Sequence, residues 1–304
     1  MITIDDIQQI LIVGAGTMGQ QIGLQCALHG YEVMLYDVQE EALATAVSRI
    51  AAYLAHFVKD KRITLDEAVA IKERIFTTTD AETAAMDADL LSESVPEDPV
   101  LKGKVLGQFN QLCPPRTIFT TNTSTLLPSM FATATGRPSQ FAAFHFHLPV
   151  WDANVVDVMP HAGTDTAVTT LLATFAQRIG QIPIVLDKEH SGYVFNAMLS
   201  ALLKSAISLV VDGVATPADV DRAWMGIMKT PIGPFGIQDS IGLDTVWKIT
   251  DFWAKIGGHS TDLANAAFLK TYLDQGKTGI KSGQGFYSYP NPAFAQPDFL
   301  HKSE

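Results

Sequence analysis

The sequence predicts an α/β protein: a doubly wound, mostly parallel sheet covered by helices, followed by a second, all-α C-terminal domain. Three observations carry this. Short apolar runs alternate with helical patterns as far as Lys188. A G-x-G-x-x-G pattern stands between the first apolar run and the first helical one. Beyond Lys188 the strand-like runs cease and helical patterns alone continue. Strands that alternate with helices must cross over and pair in parallel, with helices on both faces. A chain of 304 residues also exceeds what one core usually serves.

Residues 10–13 form an apolar run that ends at Gly14 and read as a buried strand; residues 32–36 read as the second. Residues 89–95, 117–121 and 141–145 are further strands, and 154–159 and 181–186 extend the sheet. Helical patterns fill the gaps, most clearly at 39–57, 65–74 and 166–179. In the second half, 192–211, 217–229 and 261–273 read as helices, and Thr216-Pro217 with Asp219 in the first turn is a helix start. The boundary is expected near residues 187–191, which gives domains 1–188 and 189–304.

Hydrophobic residues make up 47% and charged residues 17%, a globular composition. With 21 basic against 32 acidic residues, the net charge of −11 disfavours nucleic acid and anionic lipid as partners. The N-terminal MITIDDIQQ is acidic and polar, unlike a secretory signal. The apolar stretch 193–211 carries Asn196, Ser200, Lys204, Ser205 and Ser208, so it is expected in a helical core and not in a membrane. Cys26 and Cys113 form no metal-binding pattern and fit a reducing cytoplasm; no metal is expected.

The strongest local signal is Gly14-Ala-Gly16-Thr17-Met18-Gly19 after the first strand. Gly14 permits the tight turn, Gly16 lets the backbone approach a pyrophosphate, and Gly19 lets the helix pack on the strand. Thr17 and Met18 open the helix, whose N-terminus offers free N–H groups and partial positive charge to phosphates. The second strand ends at Tyr36-Asp37, and an acidic residue there can accept from ribose hydroxyls. It would repel the extra phosphate of NADP, and Val38-Gln39 brings no arginine, so NAD is the expected cofactor.

At this point the chain resembles the 3-hydroxyacyl-CoA dehydrogenase family over nearly its whole length. Beside the glycine fingerprint and Asp37, Thr121-Asn122-Thr123-Ser124 resembles the family's N-T-S loop, and Phe144-His145-Phe146-His147-Leu148-Pro149 its H-F-F-N-P segment. Gly192-Tyr193-Val-Phe-Asn196 is similar to its G-[FY]-x-x-N helix start. Gly233-Pro-Phe235, Asp239-x-x-Gly242-Leu-Asp244 and Lys281-Ser-Gly-Gln-Gly-Phe-Tyr287 resemble its later motifs. The resemblance implies a Rossmann-type domain, NAD, and hydride exchange with the 3-hydroxyl or 3-keto group of a short-chain acyl-CoA. It implies that His145 is the acid/base, that Asp157 stands where the family has glutamate, and that Ser124 and Asn196 contact substrate. It also implies that Glu97 and Lys102 lie near the nicotinamide, with Asn122 and Lys281 as further cofactor contacts.

The residue types suit that chemistry. A neutral imidazole can remove a hydroxyl proton near pH 7, and a carboxylate on its other nitrogen fixes the tautomer and steadies the imidazolium. His145 and His147 lie two apart and face one side of an extended strand. The family's histidine stands four residues before proline, which selects His145 and leaves His147 at an aromatic, structural position. Ser124 follows a strand end, where open α/β sheets bind ligands; its other role would be to cap a helix near Leu127. An acidic enzyme needs a local basic patch for the CoA phosphates, and Lys59, Lys61 and Arg62 are the candidates, against an ordinary solvated turn.

Three departures bear on substrate. Asp157 is one methylene shorter than glutamate, Leu148 replaces an asparagine and makes the rim more apolar, and His147 and Trp151 add bulk nearby. They leave open a free hydroxy acid as substrate, as in the gulonate dehydrogenase and lambda-crystallin relatives, or a non-catalytic NAD-binding protein. The first helix of the second domain is apolar on most sides, and homodimerisation through that domain is expected.

Overall fold

The computed structural model describes residues 3–301, which divide into two compact units that meet in sequence between Val194 and Phe195. In the first unit the elements run β1 (Gln9–Val13), α1 (Thr17–Leu28), β2 (Glu32–Tyr36), α2 (Glu40–Lys59), α3 (Leu65–Glu73), β3 (Ile75–Thr78), α4 (Ala81–Ala85), β4 (Leu90–Glu93), α5 (Pro99–Leu112) and β5 (Ile118–Thr121). They continue with β6 (Phe141–Phe146), β7 (Val155–Pro160), α6 (Thr166–Arg178) and β8 (Ile182–Val185). The sheet order is β3-β2-β1-β4-β5-β6-β7-β8. Every neighbouring pair is parallel except β6 and β7.

The central strands are apolar throughout because helices cover both faces. One core lies on the face of α1, α2 and α6, around Ile10, Ile12, Val33, Phe144 and Phe175. Another lies on the face of α5, around Leu11, Val13, Leu91, Phe109 and Phe119. Helix starts follow their caps: Thr64 and Glu67 cap each other at α3, and the Asp98 carboxylate accepts from Leu101 N before Pro99 opens α5.

Two features of this topology position the site. The strand order reverses beside β1, between β1 and β4, which is where such sheets bind ligands at their carboxyl edge. And the chain returns antiparallel after β6, which sets His145 directly opposite Asp157 in the β6–β7 register. The eighth strand, β3, went unforeseen; it is a half-exposed edge strand of four residues with no apolar run to announce it.

The second unit holds α7 (Phe195–Val211), α8 (Pro217–Met228), α9 (Pro234–Ile241), α10 (Leu243–Gly257) and α11 (Ser260–Leu273) around Phe235, Ile207, Leu269 and Tyr287. Its motifs are largely structural. The buried Asp221 carboxylate accepts from Phe235 N, Gly236 N and the Tyr287 hydroxyl, at 2.7, 3.0 and 2.9 Å. Asp239 accepts from Phe286 N, Tyr287 N and the Tyr289 hydroxyl, at 2.9, 2.9 and 3.0 Å. A Cβ at Gly285 would overlap the Asp239 carboxylate, so the glycines of the C-terminal motif let that segment close on Asp239.

Candidate active site

The glycine turn after β1 has the shape a dinucleotide requires. Gly14 sits at φ +107° with a Cβ position blocked by the Ser94 carbonyl, and a Cβ at Gly19 would overlap the Gly14 carbonyl. Gly16 is exposed, and a Cβ built there meets nothing within 4 Å, so the backbone is open to an incoming ligand. Gly16 is also the N-cap of α1 and brings no side chain to its first N–H groups, which suits an anion. Asp37 closes the turn: Oδ2 accepts from Ala15 N at 2.9 Å and Oδ1 from Gln39 N at 3.0 Å. Each oxygen keeps a second lone pair for a ribose hydroxyl. The residues present fit NAD, with Thr17 exposed and Met18 half-buried at the mouth of the turn.

At the carboxyl edges of β5 and β6 a polar cluster gathers around His145. Its Nδ1 lies 3.1 Å from Asp157 Oδ2 and its Nε2 lies 3.2 Å from Ser124 Oγ. A carboxylate only accepts, so Nδ1 carries the proton, and the Nε2 lone pair points toward the Ser124 hydroxyl. The dyad bond is at the long end for a charged partner, as the short aspartate side chain requires. His145 and Asp157 are 3% and 1% exposed. Burial pushes the His145 imidazolium below its ordinary range, and the bond to Asp157 only partly offsets this. Burial pushes the Asp157 carboxyl up, but hydrogen bonds from His145 and His147 outweigh it and hold the group below the usual carboxylate value.

Ser124 caps no helix. The helix expected near Leu127 is a single turn of 3-10 helix, Pro128–Met130, and the Ser124 hydroxyl faces His145 instead. The loop that carries it hangs on Glu97: Oε1 accepts from Thr123 Oγ1 and from Ser124 N, Thr125 N and Thr125 Oγ1, the last three at 3.0 Å. Burial works against this charge, but Thr123, Lys102 and Thr125 hold the Glu97 carboxyl below its ordinary value. Lys102 is 1% exposed, and its ammonium lies 2.8 Å from Glu93 Oε1, 3.1 Å from the Val95 carbonyl and 3.4 Å from Glu97 Oε2. These acceptors all belong to the end of β4 and the turn after it, so Lys102 pins that turn from below. Asn122 is buried and its Oδ1 accepts from Phe146 N at 2.8 Å, tying the β5 loop to the end of β6.

Sequence reasoning missed two neighbours of His145. Tyr193 stacks on the imidazole, with ring centroids 4.5 Å apart and planes 5° from parallel, and its hydroxyl donates to the Thr123 carbonyl at 2.6 Å. It does so from a left-handed backbone conformation, φ +53°, right after Gly192 at φ +79°. The Gly-Tyr pair was visible, but no spacing rule turns it back onto a strand end. His147, given a structural position by the motif, puts Nε2 3.0 Å from the same Asp157 Oδ2 that His145 engages. The signal was the two-residue spacing. Asp157 Oδ2 thus joins the two imidazoles as their shared hydrogen-bond acceptor.

Trp151 does not add bulk beside His145: its ring packs on Tyr53 and Phe57 of α2, at 4.8 and 5.0 Å. Leu148 is 47% exposed. Lys59 and Lys61 are exposed at the end of α2, while Arg62 pairs with Asp152 at 2.9 Å. In the second unit, Asn196 is the second residue of α7, and the Lys281 ammonium lies 2.6 Å from Asp244 Oδ1.

Comparison with known proteins agrees with this geometry. Residues 9–190 match the NAD-binding domain model of 3-hydroxyacyl-CoA dehydrogenase, and residues 192–289 match the C-terminal domain model of the same enzyme. The chain belongs to the 3-hydroxyacyl-CoA dehydrogenase family and is an NAD-dependent oxidoreductase. A probable 3-hydroxybutyryl-CoA dehydrogenase of Bacillus subtilis is 31% identical over 284 residues, covering 93% of this chain and 98% of that one. Among solved structures, a diketoreductase described as acting on dicarbonyl compounds is 38% identical, with a TM-score of 0.86 over 95% of this chain and all of that one. The (S)-3-hydroxybutyryl-CoA dehydrogenase of Ralstonia eutropha is 27% identical, with a TM-score of 0.86 over 94% of this chain and all of that one. Among the described residues, no helix is long and apolar enough to cross a membrane.

Proposed function

We propose that the protein interconverts the 3-hydroxyl and 3-keto groups of a short-chain acyl-CoA with NAD. The observation that carries this is the chain Ser124–His145–Asp157, with contacts of 3.2 and 3.1 Å at the carboxyl edge of the sheet. In the oxidative direction His145 Nε2 takes the 3-hydroxyl proton, and Asp157 holds the opposite N–H and steadies the imidazolium. The Ser124 hydroxyl, beside that nitrogen, hydrogen-bonds the reacting oxygen and aligns it. Bound NAD supplies the hydride acceptor. In reverse, the imidazolium returns its proton to the ketone oxygen. Tyr193 and the Glu97-held loop fix both partners before substrate arrives.

Asn196 donates to the thioester or ketone oxygen in this reading, and Asn122, Glu97, Lys102 and Lys281 border the cofactor. Lys59, Lys61 and Arg62 receive the CoA phosphates. The Arg62–Asp152 pair is half-exposed, so exchanging that partner for a phosphate costs little. The names of the relatives support the thioester substrate and the (S) isomer. The diketoreductase and the apolar Leu148 favour a second reading, reduction of a dicarbonyl compound without CoA. NADH consumption with acetoacetyl-CoA beside free acetoacetate separates the two. Turnover of the thioester alone, inhibited by adenosine 3′,5′-bisphosphate, supports the first; turnover of the free acid alone overturns it.

We also propose a homodimer through the helical unit, where Ile249, Phe252, Trp253 and Ile256 of α10 lie exposed in succession. A monomeric mass by light scattering would contradict it. The two buried, unpaired cysteines support a reducing, cytoplasmic setting.

A further inference from the structure

Asp157 Oδ2 accepts two hydrogen bonds, from His145 Nδ1 at 3.1 Å and from His147 Nε2 at 3.0 Å. The two imidazoles sit edge to face, centroids 4.7 Å apart, and Asp157 is all but inaccessible between them. A carboxylate oxygen shared by two donors is a weaker partner for each than one that serves a single donor.

We propose that His147 is a positioning residue that sets the proton affinity of His145: by claiming the same carboxylate oxygen, it withdraws support from the His145 imidazolium and favours the neutral base. The proposal rests on the reading of His145 as the acid/base. A neutral His145 is the form that oxidises an alcohol, so His147 biases the enzyme toward oxidation at neutral pH. Two further observations agree. A charge on His147 acts on His145 in this same downward direction. And the bond from His147 helps hold Asp157 as a carboxylate despite its burial.

Other groups face His145 and remain in place when His147 changes. Asp157 projects from β7. Glu97, from the turn after β4, acts upward on His145, and its charge is opposed by Lys102 of α5. Tyr193 covers one ring face and stays un-ionised, its hydroxyl raised well above the ordinary value by burial and by Asp157, Glu97 and Glu93. Ser124 meets Nε2.

The test compares His147→Phe, which removes the donor and keeps a ring, with His147→Gln, whose amide can still donate to Asp157. The titration of His145 is read from its imidazole 15N and 1H shifts, and the pH profile of kcat/KM is read for oxidation of (S)-3-hydroxybutyryl-CoA. In His147→Phe, the His145 titration and the acidic limb of the profile both move up by about half to one pH unit. In His147→Gln they stay close to wild type. Superimposable titrations in wild type and His147→Phe, or equal shifts in both variants, overturn the proposal. The wild-type protein gives an answer that depends on no variant: His145 must be the Nδ1–H and His147 the Nε2–H tautomer at neutral pH, and an Nδ1–H tautomer at His147 overturns it. The NMR readout needs no substrate, so failure of the acyl-CoA reading, seen as no turnover, stays distinguishable from failure of this one.

Discussion

At His145 two forces oppose each other. Burial disfavours the imidazolium, Asp157 favours it, and burial prevails, so the folded-state proton affinity lies below the ordinary histidine value of 6.5. The base must be neutral to accept a proton. Oxidation therefore declines only as pH drops through that lowered value. Reduction needs the imidazolium and declines as pH rises through that same value. Steady-state profiles in both directions check this; an acidic limb for oxidation above pH 7 would contradict it. Lys102 presents the same contest in another form. Glu93 is fully buried, and burial pushes its carboxyl up while Lys102 works to bring it down. Lys102→Met leaves that carboxylate without a counter-charge and is expected to cost ~3–5 kcal/mol in urea denaturation. A cost below ~1 kcal/mol would mean that the pair is solvated.

At the scale of the element, two glycines of one turn make opposite predictions. Gly16 has open space where a Cβ would stand, and its φ of −67° suits any residue. Gly16→Ala is expected to fold with stability within ~0.5 kcal/mol of wild type, yet to weaken NADH about tenfold, because the new methyl occupies the phosphate approach. Gly19→Ala puts a methyl against the Gly14 carbonyl and is expected to destabilise by ~1–3 kcal/mol. Denaturation beside NADH fluorescence titration reads both; equal effects on stability would contradict the assignment. The same turn shows what was legible in advance. The strand, the glycines and Asp37 follow from local rules about turns and charge, and so does the His145–Asp157 pair once two adjacent strands are recognised. What escaped depends on tertiary geometry. Tyr193 reaches His145 through two consecutive left-handed residues. Trp151 turns away to α2, and Lys102 is drawn into the interior by three acceptors supplied by one turn. Edge strand β3 lacked an apolar signal because none of its four residues is fully buried and two are threonines.

At the scale of the molecule, each unit carries its own core, and the chemistry-bearing cluster around His145, Ser124, Asp157 and Tyr193 is contained in the first. The second unit is braced by Asp221 and Asp239, which explains why several of its sequence motifs are structural. A net charge of −11 means that an anionic substrate is attracted only locally, and under the proposed function the basic end of α2 receives the CoA phosphates. The central claim, that His145 is the acid/base of an NAD-dependent 3-hydroxyacyl-CoA dehydrogenase, is tested most directly by one comparison. This is kcat/KM for acetoacetyl-CoA reduction in wild type and His145→Gln, with NADH affinity measured on both. The account predicts unchanged NADH binding and a rate lower by about two to four orders of magnitude in the variant. A variant that binds NADH and turns over at the wild-type rate would contradict it.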